Sequence, residues 1–220
     1  SSYACLSDDE KELGVILLDV GGGTTDMVIY VNGSVVYTAA IPIGGSHVTN
    51  DIAVGLRTPA LEAEKIKQKY GCALSSMVNK EETIDVPSVG GRKSRILSRQ
   101  ILAEIIEPRM EEIFELVKRE VGRSGYEDSL ASGVVLTGGA SVMDGIPELA
   151  EQIFDLPVVR ATPGGIGGLV DVVKSPLFGT GVGLVTYGNE MRKQASFRIK
   201  DDSVYIKVKE KMKMWLGEMF

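Results

Sequence analysis

The chain has almost none of the residues from which metal and redox sites are built. Its 220 residues include 2 cysteines and 1 histidine. Cys5 and Cys72 lie far apart in no metal-like spacing, and with His47 the sole imidazole the composition argues against zinc. One disulfide would use up both cysteines, but a secreted disulfide scaffold is not indicated, and the two read as reduced thiols of a cytoplasmic protein. A basic excess is also missing. The formal net charge of −6 provides no global field for nucleic acid, so any nucleotide contact must come from a local site. No apolar run is long enough to cross a bilayer. Ser1-Ser2-Tyr3-Ala4-Cys5 lacks the basic opening and apolar stretch of a signal peptide and reads as a cut inside a longer chain. No sequence repeat is evident. What remains is an ordinary globular balance, 44% hydrophobic and 25% charged, with length enough for a native core in one large or two small domains.

The pattern along the chain is α/β. Gly14 to Leu18 is an apolar run ending at Asp19, which reads as a buried strand. Gly21-Gly22-Gly23 makes a tight turn into a second strand, Met27 to Val31. Asn32-Gly33 is a two-residue hairpin signal, and Val35 to Ile43 is the third strand. Ser46 is placed to cap a helix running to about Leu56. Pro59 suits the first position of another, which Gly71 ends. Residues 80–97 are strand-like around a Gly90-Gly91 turn. A long helix follows from about Ser98 to Val121, with Ile101, Ile105, Ile113, Phe114, Val117 and Val121 on its apolar face and Pro108 expected to kink it or begin a new turn. Strand signals return at Gly133 to Thr137 and near Pro157–Arg160, separated by a helix after Ile146-Pro147. A Gly-rich loop covers Pro163 to Gly168, and a last core helix spans about Leu177 to Tyr187. This order predicts a main α/β domain from residues 13–57 and 133–188, a smaller subdomain inserted at 58–132, a polar tether at 189–204 and a final helix at 205–220.

Three stretches carry chemistry. Asp19-Val20-Gly21-Gly22-Gly23-Thr24-Thr25-Asp26 joins two strands. Glycines without Cβ atoms let backbone N–H groups close around phosphate oxygens. Thr24 adds a hydroxyl, and Asp19 at the strand end can hold hydrated Mg²⁺. No Gly-Lys-Ser/Thr follows, so a P-loop is excluded. A plain glycine-rich hairpin is the other reading. Leu136-Thr137-Gly138-Gly139-Ala140-Ser141 is a second strand entering glycines, where bare backbone suits a flat adenine. Glu64 and Lys67 are three apart and share a helix face; they suit a ribose, or simply a solvated ion pair. His47, near a helix start, reads as a surface or capping residue.

Together these motifs resemble the actin/Hsp70 ATPase superfamily. Within it, Ile43 to Ala53, Ala63-Glu64-Lys65-Ile66-Lys67 with Tyr70-Gly71, and Glu107-Pro108-Arg109 resemble the FtsA family of cell-division proteins over nearly the whole chain. The resemblance implies an RNase H-like lobe (α/β, actin-like ATPase) with a smaller inserted α/β subdomain. It places the β- and γ-phosphates of ATP, with Mg²⁺ held through water by Asp19, on Asp19, Gly21, Gly22, Gly23 and Thr24. It places adenosine on Glu64, Lys67, Gly138, Gly139, Ala140 and Ser141. Phe178 to Leu184 resembles the segment that connects the two lobes. The family's first lobe, with its own phosphate loop, is expected to precede this chain. Half a clamp does not enclose a γ-phosphate, so weak nucleotide binding and no useful hydrolysis are expected from these residues alone, and no catalytic residue is assigned.

The last sixteen positions carry Tyr205, Val208, Met212, Trp215, Leu216, Met219 and Phe220 at helical spacing, with Lys207, Lys209, Lys211 and Lys213 around the other sides. A basic, Trp-containing amphipathic helix suits an anionic membrane surface; a helix docked on the protein's own core is the alternative. The resemblance implies a peripheral protein at the cytoplasmic face of the bacterial inner membrane, at the division site. Its implied partners are further copies of itself and the tail of FtsZ, the tubulin-like division protein, docked at Arg95, Arg99, Arg109 and Glu112, which equally suit a solvated helix face. The competing function class is an enzyme of the superfamily, a sugar kinase or polyphosphate phosphatase. That would need an acid or base facing the cleft, and no such residue stands out. A chaperone would need a substrate-binding domain after the ATPase.

Overall fold

A computed structural model describes residues 1–165, 167 and 173–193. Its centre is β1 (Val15–Val20), buried at every position except Asp19. A strand apolar on both faces must be covered on both. It pairs antiparallel with β2 (Thr25–Val31), which pairs antiparallel with β3 (Ser34–Ile41). Asn32 and Gly33 sit at φ 50° and 71°, the left-handed pair that a two-residue hairpin needs and that Asn-Gly tolerates.

From β3 the chain leaves the sheet. It forms α3 (Gly45–Gly55), α4 (Ala60–Tyr70), a small antiparallel pair of β4 (Thr83–Val86) with β5 (Arg95–Ser98), and α5 (Arg99–Ser124). It returns as β6 (Val134–Thr137) beside β1, then α6 (Ile146–Phe154) and β7 (Val158–Arg160). The sheet order is β3-β2-β1-β6-β7, with β6 and β7 parallel to β1. Parallel neighbours cannot be joined by a tight turn, so the helices lie in the crossover between β3 and β6. Two short helices, α1 (Ser2–Cys5) and α2 (Asp8–Leu13), precede the sheet, the second with a Ser7/Glu10 capping box.

One face of the sheet, with Ile16, Leu18, Val20, Ile29 and Leu136, is covered by α3, α5 and α6. Ile84 and Val86 of β4 belong to the same buried cluster. Phe114 meets Phe154 edge to face, ring centroids 5.8 Å apart. The opposite face, with Val15, Leu17 and Val135, is covered by a smaller group around Leu6 and Cys5.

Four local expectations change. Gly44, not Ser46, caps α3, because the first helical N–H groups are taken by carbonyls of the first glycine loop; His47 Nδ1 accepts from the Gly44 N–H at 3.1 Å. Pro59 is the N-cap of α4 rather than its first residue. α5 is one continuous helix through Pro108, so the proline does not begin a new one. Leu102, Ile106 and Met110 carry its buried face there, while Ile101 is 42% exposed, because burial on both sides of the proline holds the helix together. The last described helix, α7, covers 179–193, starting later and ending beyond Tyr187. Residues 189–193, expected as tether, are therefore helical. Leu184 and Val185 are exposed, so among the described residues α7 is not a core helix.

Candidate functional site

The first glycine loop is held by its carbonyls. Gly21 N–H donates to Thr24 O at 2.9 Å, closing the turn between β1 and β2. The Gly45 and Ser46 N–H groups at the start of α3 donate to Gly21 O and Gly22 O at 2.9 and 2.8 Å. Gly44 makes this docking fit, since a Cβ there would stand 2.6 Å from Gly21 O. With carbonyls committed inward, the N–H groups of exposed Gly22, Gly23 and Thr24 have no protein acceptor among the described residues. Free amides on a glycine turn are what an anion cradle requires. Thr24 Oγ1 donates to Asp26 Oδ2 at 3.0 Å.

Asp19 ties this loop to the second one. It stands between Thr137 on β6 and Asp26 on β2. Gly138 has φ 89°, and a Cβ there would lie 2.5 Å from Asp19 Oδ1 and 2.6 Å from Val20 O. The two glycine loops touch through that missing side chain. The other carboxylate oxygen, Asp19 Oδ2, accepts from Thr180 Oγ1 at 2.6 Å. Ser141 is fully buried and its hydroxyl donates to Gly138 O at 2.8 Å.

Glu64 and Lys67 on α4 face α3. The Lys67 ammonium reaches Gly45 O, Thr49 Oγ1 and Glu64 Oε2, each at 2.8 Å. Its three N–H groups thus have three acceptors. The Thr49 hydroxyl donates to Glu64 and Gln68 Nε2 donates to its other oxygen at 2.8 Å. Burial pushes the Glu64 carboxyl up, but the hydrogen bonds from Lys67, Thr49 and Gln68 outweigh it and hold the group below the ordinary carboxylate value.

These elements enclose a cleft of about 440 Å³. Of the candidate residues, Gly21, Gly22, Glu64, Lys67, Gly139 and Ala140 line it. Asp19, Gly23, Thr24, Gly138 and Ser141 stand outside its wall. Gly45, Gln68, Lys69, Gly71, Val142, Met143, Asp144 and Leu177 also line it and were not foreseen. Gln68 and Gly71 follow Glu64 by four and seven positions, a helical-face signal that was readable. Leu177, brought over Gly139 from a distant segment, left no such signal. A larger hollow of about 520 Å³ lies between Gly165 and α7, lined by none of the candidate residues.

The four residues expected on the inserted segment are each engaged within the fold. Arg95 donates to Leu56 O at the end of α3. Arg99 donates to Tyr70 O and Glu82, both through the start of α5. Arg109 grips Asp51 of α3 with two bonds, 2.6 and 3.1 Å, and also pairs with Glu112. The amphipathic segment with Val208, Met212, Trp215, Leu216, Met219 and Phe220 lies outside the described residues. Among the described residues no helix is long and apolar enough to cross a membrane, and no cluster of three metal-ligating side chains forms.

A five-stranded sheet running antiparallel, antiparallel, parallel, parallel, with helices in one long crossover, is the lobe of an actin-like ATPase fold. MreB5 of Spiroplasma citri, solved bound to ADP, superposes on it with TM-score 0.68 at 19% identity, over 86% of this chain and 57% of the other. Among proteins of that fold, the chain belongs to the FtsA family: the family described as cell division protein FtsA matches residues 16–183. FtsA of Pseudomonas aeruginosa is 50% identical over all of this chain and 54% of its own length. FtsA of Escherichia coli is 46% identical over 86% of this chain and 47% of its own. The chain therefore spans about half the length of these relatives.

Proposed function

We propose that the cleft binds ATP, and that the parent protein is an actin-like adaptor that polymerises and links FtsZ filaments to the inner membrane during cell division. The observation carrying this reading is the cleft itself, in which two glycine loops and the Glu64/Lys67 helix face meet. The β- and γ-phosphates would lie on the free amides of Gly22, Gly23 and Thr24. Mg²⁺, held mainly by those phosphates, would meet Asp19 through water. Adenosine would lie against Gly139 and Ala140, with Glu64 toward the ribose. Lys67, saturated by protein acceptors, would hold α4 and α3 in place, and Ser141 would support Gly138 from below.

Main-domain residues 13–57 and 133–188 would carry the phosphate and adenine walls, with 58–132 as the inserted unit presenting Arg95, Arg99, Arg109 and Glu112 to the FtsZ tail. Residues 205–220 would reach the membrane. The chemistry is occupancy: ATP would close two lobes and favour polymer contacts, a population shift. The residues here supply one wall, so we expect weak affinity and no useful turnover from them alone.

Titration of a fluorescent ATP analogue with Mg²⁺ into the chain tests the reading. A saturable rise with a dissociation constant on the order of 0.1–1 mM supports it. Gly139→Leu should abolish the rise while the protein stays folded, because a Cβ there meets only Leu177, at 3.6 Å, and the longer side chain would extend into the cleft that Gly139 lines. No saturable binding to the chain, or equal binding by Gly139→Leu, would sink it.

A further inference from the structure

We infer that Thr180 is a positioning residue for the Asp19 carboxylate, and that it sets how much Mg²⁺ strengthens phosphate binding at the first glycine loop; this rests on the nucleotide reading above. The two residues are 161 positions apart, yet Thr180 Oγ1 donates to Asp19 Oδ2 at 2.6 Å. A hydroxyl donating to a carboxylate at that length is a charge-assisted bond. On its other side, Gly138 comes so close that a Cβ there would stand 2.5 Å from Asp19 Oδ1. One oxygen thus accepts a hydrogen bond and the other lies against Gly138, so a side chain with two free torsions is held in one orientation.

The donor is itself fixed. Thr180 stands in the first turn of α7, next to Gly179. That glycine is seated so closely that a Cβ would be 2.7 Å from Thr137 Oγ1 and 3.1 Å from Cys5 Sγ. Threonine is β-branched and stiff at its first torsion. Thr180 is exposed and packs into no core, so the fold does not need its hydroxyl. What the hydroxyl contributes is the preorganisation of an acid that must otherwise be ordered when a hydrated cation arrives.

The test compares the fluorescent analogue's affinity in Mg²⁺ and in chelator for the full chain and three variants. Thr180→Val keeps the shape and removes the hydroxyl, Thr180→Ser restores it, and Asp19→Asn sets the floor of Mg²⁺ dependence. Thr180→Val should lose about fivefold of the Mg²⁺-dependent gain, with affinity in chelator and melting temperature unchanged. Thr180→Ser should recover the gain. If Thr180→Val lowers the melting temperature, Thr180→Ala takes its place. A full Mg²⁺ gain in Thr180→Val, or a Thr180→Ser that behaves like it, overturns the assignment and leaves nucleotide binding standing. A parent chain that binds the analogue with no Mg²⁺ gain overturns the assignment too, and one that binds none removes the nucleotide reading with it.

Discussion

Glu64 is pulled in opposite directions, by burial that favours the neutral acid and by hydrogen bonds that favour the anion, and the bonds win. A folded value below the unfolded one means its stabilisation is full above the ordinary carboxylate value. It is lost as pH falls through the lowered folded value. Urea titrations of the parent and Glu64→Gln should therefore differ most near neutral pH and converge in acid. A gap that widens with acid would contradict this origin of the shift. The glycines of the two loops are likewise not equivalent. Gly138 combines φ 89° with a 2.5 Å approach to Asp19, whereas a Cβ on Gly23 would meet nothing within 4 Å. Gly138→Ala should cost about 3 kcal/mol or more, with strain and clash adding. Gly23→Ala should stay within about 0.5 kcal/mol. Thermal melts of the pair decide it, and equal losses would mean that the loops do not touch through Gly138.

α3 works as a strut. Its first N–H groups hold the first glycine loop, Asp51 in its middle is gripped by Arg109 of α5, and Arg95 holds the carbonyl at its C-terminal end. The first glycine loop is thereby linked through α3 to the crossover helix α5 and to Arg95 of β5. The Arg109–Asp51 pair is bidentate and only partly exposed, 28% and 31% for the two side chains. A double-mutant cycle between them should return a coupling of about 1 kcal/mol. A value near zero would make the pair a surface accident. α5 depends more on its core face: Phe114, fully buried against Phe154, should cost about 3–5 kcal/mol on truncation to Ala.

At the scale of the whole molecule, a net charge of −6 gives no general attraction to an anionic membrane. Any membrane binding would then have to come from a local segment, and the lysine- and tryptophan-bearing stretch over 205–220 is the proposed one. Co-sedimentation with anionic liposomes should pellet the full chain and leave a chain ending at Lys193 in solution. Equal pelleting of both would move the membrane contact onto the folded lobe. A single short helix binds marginally, so the pelleted fraction should fall in the presence of about 0.5 M salt.

By itself, the sequence determined the strands, the two glycine loops, the Asn32-Gly33 turn and the shared face of Glu64 and Lys67. Each is written in neighbouring residues: an apolar run, a conformation open mainly to glycine or asparagine, a three-residue helical spacing. Local patterning also brought the FtsA-like stretches into view. Only the tertiary structure decided which residues form the cleft wall. Ser141, expected at the adenosine, is buried with its hydroxyl on Gly138 O, and Lys67, expected at a ribose or in a solvated ion pair, has three protein acceptors. The cap of α3 is shared with a loop more than twenty residues earlier, and Thr180 meets Asp19 across 161 positions. Contacts between segments distant in sequence depend on how the sheet and its crossover close, and no local pattern encodes that closure.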